Sequence, residues 1–229
     1  MNREAFMARV KAAAAAGREH HVPTRKDLPA RVGYCGGGDD LATRFAHEVE
    51  LVGGKPVVVE NLTAARHALA ELLSKYAPQS ALCWEHPVLE RCGVAELLAE
   101  RHIAAHHYAT LNDLPRDAQR EAILAAEIGI SSVTSALAET GTLVMGAMPG
   151  RERVASLAPP VHVAIVTAEQ IVPDLFDLFD TLVLNGSQAL PSNVTLITGP
   201  SKTGDLELRL TTGVHGPGQW HVIVSRSAN

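Results

Sequence analysis

Apolar and polar residues follow one another along most of this chain in the rhythm of an α/β domain. From Leu41 onward, stretches with helical apolar spacing are separated by short runs that are almost wholly apolar. The pattern predicts helices over Leu41 to Val52, Thr63 to Tyr76, Val88 to Glu100, Pro115 to Glu127 and Asp174 to Leu184. It predicts strands over Pro56 to Val59, Ser80 to Trp84, Ile128 to Ile130, Thr142 to Met145, Val161 to Val166, Asn193 to Thr198 and His221 to Ser225, with a weaker one near Ile103. Runs such as Val57-Val58-Val59 lack a polar face, as parallel strands do when helices cover both sides. The expectation is an α/β fold: one open, mostly parallel, largely buried sheet with helices on both faces. Leu206, Leu208 and Leu210 alternate as in a strand while Asp205 is a good helix cap, so that segment stays open.

The first 40 residues differ. Ala12 to Ala16, stopped by Gly17, predict a peripheral N-terminal helix over residues 1–17. Pro23, Pro29 and Gly36-Gly37-Gly38 then mark a connecting arm that crosses the surface or a neighbouring subunit, which leaves a homodimer open. The glycine triplet is taken as a loop, because no GxxxxGK[ST] follows and Asp39-Asp40 would repel an anion. No repeat or composition break divides residues 41–229, so they are expected to form a single domain.

Composition narrows the function classes. The net charge is -5 and the 20 Lys and Arg are scattered, so no nucleic-acid partner is expected. No apolar stretch approaches the roughly 18 to 20 residues of a membrane span, and Met1 to Lys11 carries four charges and no secretory h-region. A cytoplasmic location is expected. The three cysteines, Cys35, Cys83 and Cys92, form no CxxC and no disulfide framework. They fall short of the roughly four thiolates of a conventional iron–sulfur cluster, so no cofactor is expected on this chain alone.

The chemistry concentrates in two turns. Thr198-Gly199-Pro200-Ser201-Lys202-Thr203-Gly204-Asp205, with Gly213-Val214-His215-Gly216-Pro217, carries hydroxyls, an ammonium, a carboxylate and an imidazole that chain reversal does not require. Thr198, Gly199, Ser201, Lys202, Thr203, Asp205 and His215 are therefore candidate ligand-binding residues, placed beyond the carboxyl end of a buried strand and suited to a carboxylate or phosphate. Lys202 lies three residues after Gly199, so the turn is no Walker A loop. The second constellation is Ala138-Glu139-Thr140-Gly141-Thr142, in which Glu139 is the candidate base or nucleophile and Thr140, Gly141 and Thr142 are candidate ligand contacts. Arg151 and Arg153 are either anion ligands or surface charges. His102, His106 and His107 fit a helix face or a strand leading into a loop, and no metal site is assigned to them. His162, inside an apolar run, reads as a hydrogen-bonded structural residue.

These blocks, together with Glu127-Ile128-Gly129-Ile130-Ser131, Pro159-Pro160-Val161-His162 and Ile171-Val172-Pro173-Asp174, resemble in order and content the lactate-utilisation protein C family, the LUD domain. The resemblance is most specific over Glu127 to Val224. It implies a NagB/RpiA/CoA-transferase-like α/β architecture and a role in oxidising L-lactate to pyruvate with iron–sulfur partner proteins, which would hold the clusters. Three readings stay open: a subunit that binds a small carboxylate, a stand-alone CoA-transferase-like or sugar-phosphate-type enzyme using Glu139, and a non-catalytic assembly or regulatory module.

Overall fold

A strand that is apolar on both faces has to be covered on both, and this requirement organises the chain. The computed structural model describes residues 2–19, 33–184, 191–204 and 210–228. They belong to two units, Met1–Gly33 and Tyr34–Asn229. In the first, α1 (Arg3–Glu19) is a helix that leaves Phe6, Met7 and Val10 exposed.

The second unit begins α2 (Leu41–Leu51), β1 (Lys55–Val59), α3 (Leu62–Tyr76), β2 (Ser80–Cys83), α4 (Pro87–Arg91), α5 (Val94–Glu100) and β3 (Ala104–His106). It continues α6 (Tyr108–Asn112), α7 (Arg116–Ala125), β4 (Ile128–Ser131), β5 (Ser135–Leu137), β6 (Thr142–Ala147), α8 (Val154–Leu157) and β7 (Val161–Thr167). It ends β8 (Ile171–Val172), α9 (Leu175–Leu184), β9 (Asn193–Ile197), β10 (Lys202–Gly204), β11 (Leu210–Thr212) and β12 (Gln219–Ser225). Asp40 caps α2, accepting from the Thr43 amide at 3.0 Å and pairing with Arg226.

Six strands form a parallel sheet in the order β1-β12-β7-β4-β2-β3. Its central strands are sealed, with Ile128, Ile130, Val163, Ile165, Val222 and Val224 all buried in one core. α2 and α3 pack against β1 and β12, while α8 lies over β4. Gly129 permits that approach, because a side chain there would collide with the Ala155 carbonyl of α8.

Two strands and one helix depart from expectation. Val57-Val58-Val59 lies in β1, an edge of the parallel sheet, and Val57 and Val58 are exposed, so that run is not covered on both faces. The run Asn193 to Thr198 does not join this buried sheet. It becomes β9, the edge of a separate sheet ordered β8-β5-β6-β9, where β6 runs antiparallel to both β5 and β9. Side chains in that sheet alternate: Ala136, Leu143 and Met145 enter the main core, while Leu137 and Val144 pack on Leu178 of α9. An edge strand needs cover on one face only, so Val194 and Leu196 are exposed. The helix that departs is Val88 to Glu100, which splits into α4 and α5 at Gly93, whose φ of 68° cannot continue a helix. Residues 206–209 and Asp205 lie outside the described residues, and Leu210 begins β11, which pairs antiparallel with β10.

Candidate functional site

The two Gly/Pro-rich turns meet. β9 leads into Gly199, whose φ of 95° turns the chain against the Val52 carbonyl. The Ser201 amide then donates to the Pro217 carbonyl at 2.9 Å, and the Ser201 carbonyl accepts from the Gly213 amide at 2.9 Å. A cavity of about 280 Å³ opens between these turns and α8, lined by Ser156, Leu157, residues 195–201, His215, Gly216, Pro217, His162 and Trp220. The expectation that Thr198 lies beyond the carboxyl end of a buried parallel strand is corrected. Thr198 follows an antiparallel edge strand, and the cavity sits where β7 and β12 begin, at the amino edge of the parallel sheet.

His162 and Trp220 stand opposite one another in register on β7 and β12, 0% and 2% exposed. The His162 Nε2 lies 2.9 Å from the Ser131 hydroxyl. Its Nδ1 and the Trp220 Nε1 are buried with no hydrogen-bond partner. Burial pushes the His162 imidazolium down to about 3, so the ring is neutral at pH 7. A neutral imidazole carries one N–H, and whether it sits on Nδ1 or Nε2 depends on whether the Ser131 hydroxyl donates or accepts in this contact. The cavity wall thus combines the hydroxyls of Thr198 and Ser201 with two rings whose unpartnered nitrogens are themselves buried, and its described lining has no carboxylate.

Of the sequence candidates, Thr198, Gly199, Ser201 and His215 line this cavity. Thr142 and Thr140 reach it indirectly, through hydroxyl contacts of 2.7 Å from Thr140 to Thr142 and 2.7 Å from Thr142 to Thr198. This chain of hydroxyls joins constellations 56 residues apart in sequence. Gly141, at φ 63°, lies so close to the Glu48–Val49 backbone of α2 that no side chain would fit. Thr203 sits half-buried in the β10–β11 hairpin, outside the lining.

Lys202 does not line the cavity. Its Nζ donates to the Val52 carbonyl at 2.7 Å, at the C-terminus of α2, where unsatisfied carbonyls attract a cation. Asp205 lies outside the described residues. Glu139 is also away from the lining, in a corner with Cys35 and Asp174. There the Asp174 carboxylate accepts from the Cys35 amide at 2.9 Å and the Phe176 amide at 3.0 Å. Burial pushes the Asp174 carboxyl up, but these amide donors outweigh it and hold the group below the usual range. The Glu139 charge is the main cause raising the exposed Cys35 thiol.

The sequence reading of His162 as hydrogen-bonded agrees with its Ser131 contact, but its place on the cavity wall and the whole contribution of Trp220 went unseen. A signal existed: a polar aromatic at the start of each of two apolar runs. His106 ends β3 and His107 precedes α6, so the two do not share a helix face with His102. Cys83 and Cys92 are buried, and burial pushes their thiols up to about 12 and about 11. Among the described residues no three His, Cys, Asp or Glu side chains form a metal-binding group. No described helix is long and apolar enough to cross a membrane.

Residues 42–225 match the LUD domain family. A lactate utilization protein C of Bacillus subtilis (strain 168) is 30% identical over 233 residues, covering 94% of this chain and 92% of its own. Proteins of the same name from Halalkalibacterium halodurans and an Exiguobacterium species are 30% identical over 152 residues and 41% identical over 103. Those two alignments span 64% and 45% of the relatives' own lengths, less than two thirds of each. The crystal structure of a DUF162 family protein from Deinococcus radiodurans shares the fold, with a TM-score of 0.58 at 18% identity over 81% of this chain and 96% of that one.

Proposed function

This chain belongs to the LUD domain family, and on that premise we propose that it serves lactate utilisation as a component without a cluster of its own, binding a small 2-hydroxy or 2-oxo carboxylate for oxidation with iron–sulfur partner proteins. The observation that carries this reading is the pair of buried, unpartnered ring nitrogens of His162 and Trp220 in a cavity whose described lining has no carboxylate. An unpaired buried donor costs ~1–3 kcal/mol, and an acceptor brought by a ligand recovers it. Trp220 Nε1–H and His162 Nδ1–H donate to the carboxylate, while Thr198 and Ser201 present hydroxyls to its second oxygen or to the 2-hydroxyl. His215, exposed at the mouth, contacts the solvent side of the ligand. A volume of about 280 Å³ equals roughly nine waters at ~30 Å³ each, room for a lactate-sized acid.

The placement of Glu139 outside this cavity favours carboxylate binding over acyl transfer through Glu139. Calorimetric titration of the purified chain with L-lactate, pyruvate, phosphate and CoA tests the reading. Lactate or pyruvate should bind, and Trp220→Phe should weaken it about 10- to 100-fold, the loss of one hydrogen bond to a charged group at ~1.5–3 kcal/mol. Absence of binding by either acid, or unchanged affinity in Trp220→Phe, would refute the site. The system-level role is tested anaerobically by lactate-dependent reduction of an artificial acceptor with candidate iron–sulfur partners. Unchanged rates when this chain is omitted would rule out a required part.

A further inference from the structure

A chain of three hydroxyls runs from the cavity into the protein and constrains what the cavity can recognise. The antiparallel ladder of β6 and β9 sets Leu143 opposite Ile197, and one step further along it brings Thr142 opposite Thr198. The turn at Gly141, whose φ is 63°, lets Thr140 reach Thr142 as well. Both oxygen–oxygen contacts measure 2.7 Å, and in each either atom can be the donor. Thr142 is 3% exposed, and among the described residues its hydroxyl meets only these two partners. Thr198 is exposed on the cavity wall, and Thr140 is half-buried at the far end of the chain.

A hydroxyl owns one hydrogen, so the buried Thr142 gives its own to one neighbour and receives from the other. In the outward arrangement Thr198 donates to Thr142 and Thr142 to Thr140, which leaves Thr198 only lone pairs to offer the cavity. In the inward arrangement Thr140 donates to Thr142 and Thr142 to Thr198, which frees the Thr198 hydrogen for the cavity. No described side chain holds either end, so rotation of three hydroxyls exchanges the two arrangements. The described lining has no carboxylate to take the hydrogen of a 2-hydroxyl, and Thr198 in the outward arrangement supplies that acceptor.

We propose that Thr142 and Thr140 are positioning residues that set the direction of the Thr198 hydroxyl, so that one cavity receives a 2-hydroxy acid with the chain outward and the matching 2-oxo acid with it inward. Thr198 accepts from the 2-hydroxyl in the first case and donates to the 2-oxo oxygen in the second. The inference rests on the carboxylate reading and deepens it: Thr198 reads the oxidation state of the carbon beside the carboxylate, and two residues outside the lining allow it to read both.

Calorimetry of the purified chain with L-lactate and pyruvate tests this. Thr140→Val, two hydroxyls away from the ligand, leaves Thr142 no outward acceptor and holds the chain inward. Lactate should then bind about three- to tenfold more weakly, the loss of one neutral hydrogen bond, while pyruvate keeps its affinity. Thr142→Val should shift the lactate-to-pyruvate ratio in the same direction, and Thr140→Ser, which restores the hydroxyl, should return it to the wild-type value. A loosened cavity would weaken both acids together, so the ratio distinguishes hydroxyl direction from packing. A ratio that stays unchanged or moves toward lactate in either folded valine variant, or that serine does not restore, would overturn the proposal and leave carboxylate binding standing. Wild type that takes only one of the two acids overturns it as well, and failure of the wild type to bind either acid overturns both readings.

Discussion

Replacing Ser131 by Ala and His162 by Leu together should leave the ligand-free fold as stable as before, or more so, while weakening carboxylate binding about 10- to 100-fold. The Ser131–His162 hydrogen bond, at 2.9 Å in a fully buried setting, contributes a net ~0.5–1.5 kcal/mol. Against it stands the unpartnered Nδ1, whose desolvation costs ~1–3 kcal/mol without a ligand. Leucine occupies a broadly similar volume and brings no polar atom, so removing both partners should change stability by between ~0 and ~2 kcal/mol in the favourable direction. The single variants behave differently. His162→Leu strands a buried hydroxyl, and Ser131→Ala strands a second ring nitrogen, each costing ~1–3 kcal/mol. A double-mutant cycle by urea unfolding at pH 7.5 should therefore show strong non-additivity. Ligand should separate the proteins again: at about 100 times Kd, lactate stabilises the wild type by ~2.7 kcal/mol. That corresponds to roughly 5–11 °C in Tm for a domain of this size, against about half of that or less in the double variant. A double variant more than ~3 kcal/mol less stable without ligand, or one that keeps the whole lactate-induced shift, would refute the reasoning.

Acid should weaken the fold through three buried histidines. Burial is the main cause that lowers His86 to about 4, His162 to about 3 and His221 to about 4, from 6.5. The unfolded chain takes up these protons first, so the stability they contribute is full above pH 6.5 and is lost as pH falls through 6.5 towards 4. The slope approaches ~1.4 kcal/mol per pH unit for each histidine; equal urea midpoints at pH 7.5 and pH 5 would contradict this. Lys202→Ala should lower stability by a few tenths to about 1 kcal/mol by uncapping α2, and leave lactate affinity unchanged by calorimetry. A large loss of affinity would return Lys202 to the ligand site. Gly129→Ala should destabilise by about 2 kcal/mol or more, because the new methyl meets the α8 backbone; normal thermal unfolding would disprove that packing. Glu139→Gln should speed iodoacetamide alkylation of Cys35, since the Glu139 charge is what chiefly raises that thiol, and an unchanged rate would argue against it.

The fold class was legible in the sequence because its signal is local. Val163 to Val166 and Val222 to Val224 are apolar on both faces, as central strands of a covered parallel sheet are. Helix extents were legible for the same reason, as in α3 and α7, whereas the break at Gly93 and the cap at Asp40 were not read from the sequence. The choice of sheet was not legible, since Asn193 to Ile197 has enough apolar residues for a core strand and its partner β6 lies far away in sequence. The candidate site divides along that line. Sequence alone determined that the turns holding Thr198, Ser201 and His215 are richer in functional groups than a reversal needs. Only the tertiary structure decided that Lys202 belongs to a helix end, that Glu139 stands apart with Asp174, and that His162 and Trp220 join the cavity. The physical reason is that residue type sets what a side chain can donate or accept, whereas burial and the positions of distant strands decide which of those groups lack a partner.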